Sequence, residues 1–262
     1  IAEMVENHRH HPSIIAWGVG NELDGLCDET IQYIKDAIAY AHIIDSEREA
    51  SYVTNRIYEN PAKDGTTDGD FMMINDYIGT WHGDLDQYKE WNQVVKMNPD
   101  KPMVPSEFGL CEPAFAGGDT RRNEIFLEKM TCYRKYPNIA GTIYFCLNDY
   151  RTQMGEEGEG KLRQRVHGST DLCGNPKPSY HTVARECAPV ILEKEGTKVK
   201  VTCRDNLPCY TVKGYQLVAV NGEKREQISI PTLLPGMSWT TEVSEETAVQ
   251  IVRANGEIVT QK

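Results

Sequence analysis

Short apolar runs alternate with amphipathic stretches of helical spacing from Ile1 to about residue 187, and the alternation stops at Pro189. This rhythm constrains the fold more than any other feature. Strands separated by helices pair in parallel, and the helices cover the sheet. The strand candidates are residues 14–19, 50–55, 71–75, 103–106 and 139–146; the helical candidates are 30–44, 85–97, 121–136 and 179–187. In the first helix Ile31, Ile34, Ala37, Ile38 and Ala41 recur every three or four residues, which puts one stripe toward a core. Pro99, Pro137 and Pro189 follow three of the helices, where proline stops them.

Five strands cannot close an eight-stranded barrel, and an open doubly wound sheet fits the periodicity equally well. The G-x-G-x-x-G phosphate loop of such sheets is absent, however, and polar clusters stand immediately after the strand ends. The expected fold is therefore α/β, with residues 1–187 forming the C-terminal part of a (β/α)8 TIM barrel, about strands 4–8. The N-terminus carries no initiator Met, basic region or apolar leader and reads as a helix already under way, so the earlier strands are expected before Ile1. Residues 188–262 switch to short alternating runs at 198–203, 215–220, 226–230, 239–243, 248–252 and 257–260. Asn221-Gly222 and Asn255-Gly256 mark hairpins between them. That pattern predicts a small antiparallel β-sandwich of immunoglobulin or fibronectin type.

The net charge of −11 argues against nucleic acid or an anionic membrane as partner, and no apolar run is long enough to span a bilayer. The eight cysteines show no C-x-x-C and no Cys/His spacing for structural zinc, so no metal ligand is assigned. Most read as buried thiols, with a Cys203–Cys209 disulfide across a turn left open. Compartment (cytoplasmic, periplasmic or secreted) and oligomeric state stay open too.

Two carboxylates stand at strand ends. Asn21-Glu22 follows the run 14–19, and Glu107 follows Met103-Val-Pro-Ser. In a barrel both ends open on one face, and a protonated and an ionised carboxyl across one cleft are what glycosidic cleavage requires. Singly, each Glu also reads as a helix cap or a loop salt bridge.

The surrounding words are more specific. His11-Pro-Ser-Ile-Ile-Ala-Trp-Gly-Val-Gly-Asn-Glu resembles the acid/base signature of glycoside hydrolase family 2, and Met103-Val-Pro-Ser-Glu-Phe-Gly is similar to its nucleophile signature. Ile74-Asn-Asp-Tyr-Ile-Gly-Thr-Trp resembles the family's Asn-x-Tyr strand end, and Asn148-Asp-Tyr the segment closing the barrel. The resemblance implies a retaining mechanism, with Glu22 as acid/base, Glu107 as nucleophile and the two carboxyl groups about 5–5.5 Å apart. It further implies that Tyr77 orients the nucleophile and that Asn21 bonds the sugar 2-hydroxyl. Asn75, Trp81, His82, Phe145 and Asp149 complete the expected substrate contacts. For Tyr77 a core-edge aromatic, for Trp17 a core residue, and for His11 a structural cap are the alternative readings.

Two departures from the family pattern bear on the sugar. Phe145 stands where members commonly carry a tryptophan platform, and Arg165-Val-His-Gly-Ser-Thr-Asp offers Ser169 and Asp171 where glucuronidases carry Asn and Lys. These favour a β-galactosidase acting on terminal non-reducing β-glycosides, with a β-glucuronidase, another family 2 β-glycosidase, or a non-catalytic carbohydrate-binding protein as alternatives. No organic cofactor is required; a Mg or Na ion near the cleft is not assignable. The 262 residues alone are expected to be inactive.

Overall fold

The computed structural model describes residues 1–112, 114–152 and 163–262, which divide into two compact units, Ile1–Asn175 and Pro176–Lys262. The division falls upstream of the expected boundary at 187/188, so the helix Pro178–Glu186 belongs with the second unit.

The first unit runs α1 (Ala2–His8), β1 (Ala16–Asn21), α2 (Asp28–Ile44), β2 (Glu49–Thr54), β3 (Met72–Asn75), α3 (Gln87–Met97), β4 (Met103–Glu107) and α4 (Gly118–Tyr133). The four strands form one parallel sheet in chain order. Asp28 and Glu29 open α2 at the positive end of its dipole. Its buried stripe of Ile34, Ala37, Ile38 and Ala41 packs with Trp17, Val19, Ala50 and Tyr52 in one core. Trp17 is 4% exposed and donates Nε1–H to Asp45 Oδ2 at 3.0 Å, so it is a core residue rather than a subsite wall. Truncating Ile34 to Ala would cost about 2–5 kcal/mol.

The fifth expected strand, 139–146, is not formed as one. Ile139 makes a single parallel bridge to Met103, and Ala140, Ile143 and Phe145 donate to the carbonyls of Met103, Pro105 and Phe108. The segment follows β4, but Pro105 has no N–H to return, so a reciprocal ladder is interrupted there. Beyond it, β5 (Tyr150–Arg151) and β6 (Gln164–Arg165) pair antiparallel.

The second unit begins with α5 (Pro178–Glu186), started by proline in its first turn. It continues as β7 (Val190–Glu195), β8 (Lys198–Cys203), β9 (Gln216–Asn221), β10 (Lys224–Ser229), β11 (Ser238–Glu242), β12 (Ala248–Val252) and β13 (Ile258–Gln261). One antiparallel sheet has the order β11-β8-β7 and the other β10-β9-β12-β13. They share a core of Leu192, Val199, Val201, Leu217, Val249 and Ile251. β7 was absent from the pattern-based expectation. The Cys203 and Cys209 thiols are free.

Candidate active site

Two breaks in strand register place the carboxylates. β1 pairs regularly with β2 up to Gly18 opposite Ser51, then slips so that Asn21 faces Val53. The next residue, Glu22, donates its N–H to the Val53 carbonyl at 2.9 Å and adopts φ 53°. That left-handed conformation costs a side-chain-bearing residue on the order of 1–3 kcal/mol and persists only when the surroundings enforce it. Here the bond to β2 enforces it, and Glu22 stands exposed at the strand end.

The second break joins β3 to β4. Ile74 pairs with Pro105 and Asn75 with Glu107, leaving Ser106 as the extra residue of a bulge. Bulges re-aim side chains and are enriched beside active sites. Ser106 Oγ donates to Asn75 Oδ1 at 2.9 Å, and Asp76 N–H donates to the Glu107 carbonyl at 2.7 Å.

Asn75, fully buried, donates Nδ2 to Glu22 Oε1 at 2.8 Å and to Asn21 Oδ1 at 3.2 Å. The hydroxyl of Tyr77 donates to Glu107 Oε2 at 2.8 Å. Burial raises the Glu107 pKa above the ordinary carboxylate value; the Tyr77 bond opposes this, the charge of Glu22 adds to it, and a bond from Asn75 opposes it again. The two carboxylates therefore lie within each other's field, bridged by the amide of Asn75. Tyr77 is held as a neutral phenol, first by burial and then by the charge of Glu107.

The other expected contacts divide. His82 is tied to the strand end: its Nδ1 accepts the Tyr77 N–H at 3.2 Å, and burial lowers its pKa, so it is a neutral ring used in positioning. Trp81 is half exposed, meets Phe115 edge-to-face at 4.7 Å, and has the Arg165 guanidinium 6.0 Å from its ring centre. Phe145 stands edge-on to His167 and Tyr150. Asp149 is buried and accepts the Gly168 N–H at 2.9 Å, fastening segment 168–170; a Cβ at Gly168 would strike the backbone of Asn148 and Asp149. His11 clusters with His8 and His10 near α1.

Three participants lay outside the expectation. Ser106 sits inside the nucleophile motif, but only its bulge brings it to Asn75. Asp76 sits between Asn75 and Tyr77. Arg165 was visible only as a member of a departure from pattern. Among the described residues no group of three or more His, Cys, Asp or Glu side chains is arranged to hold a metal, and no helix is long and apolar enough to cross a membrane.

The family model for the glycosyl hydrolases family 2 TIM barrel domain matches residues 1–137. β-Glucuronidases of pig and dog are 26% and 28% identical over 117 and 119 residues, spanning 41% and 42% of this chain. The chain covers 17% of the length of each of these relatives. In structure, a β-glucuronidase of Faecalibacterium prausnitzii matches 70% of this chain and 32% of its own, with TM-score 0.59 and 22% identity. A β-galacturonidase of Eisenbergiella tayi bound to galacturonate matches 69% and 34%, with TM-score 0.60 and 18% identity. With a family model that covers more than half its length, and with both carboxylates set at strand ends, the chain belongs to glycoside hydrolase family 2.

Proposed function

We propose that the protein is a retaining β-glycosidase with Glu107 as nucleophile and Glu22 as acid/base, acting on terminal β-glucuronides. The observation that carries the catalytic part is the single strand end from which Asn75 reaches Glu22 and Tyr77 reaches Glu107. Two residues apart, they fasten both carboxylates to the same backbone.

In this reading Glu107 attacks the anomeric carbon while Glu22 gives its proton to the departing glycosidic oxygen. The glycosyl–Glu107 ester forms as the aglycone leaves. Glu22, now ionised, takes a proton from water, and the water displaces Glu107, so the β configuration is retained. In this reading Asn21, exposed beside Glu22, bonds a sugar hydroxyl, and Asn75 holds Asn21 and Glu22 from behind. Ionised Glu107 carries a desolvation cost in the free site. The positive charge developing on the sugar ring offsets that cost in the transition state, which is where stabilisation accelerates the reaction.

The preference for a galactoside rested on Ser169 and Asp171 standing where glucuronidases carry Asn and Lys. Asp171 folds back on its own turn, accepting Cys173 N at 2.8 Å and Asn175 N at 2.9 Å on Oδ1, and Asn175 Nδ2 at 2.8 Å on Oδ2. The relatives named above as glucuronidases, and the cationic Arg165 beside Trp81, support a uronide. A panel of nitrophenyl β-glycosides assayed with the full-length protein tests the reading. A 2-deoxy-2-fluoro-β-glucuronosyl fluoride should label the peptide carrying Glu107 by mass spectrometry. Binding of sugars without turnover or labelling would favour a carbohydrate-binding protein instead.

A further inference from the structure

At and just beyond the end of β3, the Asn75 and Tyr77 side chains reach the two carboxylates, whereas the Asp76 side chain turns to the helices. There Asp76 is fully buried. Its Oδ1 accepts Lys129 Nζ at 2.7 Å and the Ile78 N–H at 3.2 Å; its Oδ2 accepts Tyr133 OH at 2.8 Å and Trp91 Nε1 at 3.0 Å. Lys129 is 2% exposed. Trp91 belongs to α3, and Lys129 and Tyr133 to α4. The buried Tyr58 hydroxyl feels the charge of Asp76 but makes no hydrogen bond among the described residues, and Glu90, Cys132 and His82 face the cluster.

A hydrophobic pair of similar volume would fill this space at less cost, since desolvating two charges often outweighs their attraction. What apolar packing cannot do is fix the rotation of a strand end. Three side-chain donors from two helices, converging on one carboxylate together with the Ile78 N–H, do fix it. The Asp76 backbone meanwhile donates to the Glu107 carbonyl. We propose that Asp76, held by Lys129, Tyr133 and Trp91, is the positioning residue that sets the Asn75 and Tyr77 side chains against Glu22 and Glu107. The inference rests on the glycosidase reading.

Burial works against both charges of the pair. For Asp76, Lys129 and the other hydrogen bonds outweigh burial and hold it below the usual carboxylate range; for Lys129, burial prevails and lowers the amine. On the reacting face, Glu107 is opposed by the charge of Glu22 and relieved by Tyr77 and Asn75. Loosening the strand end weakens the two relieving bonds, so the acid limb of kcat/KM moves to higher pH.

The double variant Asp76→Asn/Lys129→Met removes one charge of each sign, so the net charge is unchanged and no unpaired buried ion remains. It should lower kcat about tenfold, leave KM within about twofold, and move the acid limb of kcat/KM up by about half a pH unit. Tyr133→Phe, which keeps both charges, should move the limb the same way by less. Folding is followed by circular dichroism. Should the double variant not fold, Tyr133→Phe decides alone. A folded variant with an unmoved acid limb and wild-type kcat overturns the positioning role. Wild-type protein without activity on any aryl β-glycoside would instead overturn the glycosidase reading beneath it.

Discussion

The hydroxyl of Ser106 donates to Asn75 Oδ1, and that bond decides which way the Asn75 amide faces. With its oxygen engaged by Ser106, Asn75 presents its NH2 to Glu22 and Asn21. Ser106→Ala frees the amide to rotate and removes one hydrogen bond of about 0.5–1.5 kcal/mol. The expected outcome is a loss in kcat/KM of about 3- to 10-fold with little change in melting temperature. An unchanged kcat/KM would mean that Asn75 is oriented by other contacts.

Glu22→Ala should lower turnover by about 10²–10⁴ for substrates with poor leaving groups, and much less for nitrophenolates, which depart with little protonation. Azide, which needs no general base, should restore turnover with activated substrates and yield a β-glycosyl azide. Equal losses across leaving groups, measured as a Brønsted series, would contradict the acid assignment.

Glu107→Gln should abolish turnover for every leaving group. It should also stabilise the protein at neutral pH. The Glu107 pKa is raised in the folded state, so its favourable protonated form is fully present only below the unfolded pKa. As pH rises through the folded pKa, stability is lost; the neutral glutamine avoids that loss. Thermal melts at pH 7 should favour the variant, and the gain should shrink toward pH 4. A gain independent of pH would point to packing rather than charge.

The legible parts of this fold were those governed by periodicity. α2 ends at Ile44 as expected and starts at Asp28, two residues before the expected 30, and β8 and β12 match their alternating runs residue for residue. The segment 139–146 misled because its apolar residues satisfy a strand pattern while Pro105 opposite them withholds a donor. Glu22, Glu107 and Tyr77 stood out as candidates because each lies in a recognisable word at a strand end. Ser106 and Asp76 were not, because their roles come from a bulge and from helices more than ten residues away in sequence. Asp171 was misread because spacing cannot tell a carboxylate facing a cleft from one closing its own turn.

His167 should govern part of the acid sensitivity. It is 1% exposed, and among the described residues neither ring nitrogen has a hydrogen-bond partner. Burial, reinforced by the charges of Arg165 and Arg122, lowers its pKa from 6.5 to about 4. The unfolded chain therefore binds a proton that the folded one refuses, and stability falls as pH drops from about 6.5 toward 4. His167→Phe keeps the ring against Phe145 and Tyr150 and removes that proton. Its melting temperature should fall less than that of the wild type between pH 7 and pH 4.5. Parallel curves for the two proteins would show that His167 does not titrate in this way.

Substrate charge is the last test, and Arg165 is the residue proposed to read it. Its guanidinium lies over Trp81 and bonds Tyr150, whose ring is near enough to Tyr77 to disfavour ionisation of that phenol. Asp171 spends its carboxylate oxygens on its own turn. A uronate carboxylate about 4 Å from a guanidinium, at an effective dielectric near 20, gains roughly 4 kcal/mol before solvent and rearrangement reduce it. A third of that still gives about tenfold discrimination. The full-length protein should therefore show kcat/KM at least about tenfold higher for nitrophenyl β-glucuronide than for the matched β-galactoside. Arg165→Met should remove most of that preference by lowering the glucuronide value about 10- to 100-fold, while the galactoside changes by less than about threefold. Salt should erode the wild-type preference only weakly, because a partly buried pair is poorly screened. A wild-type preference for the galactoside, or equal losses on both sugars in the variant, would remove Arg165 as the reader of charge and return the substrate to a neutral hexoside.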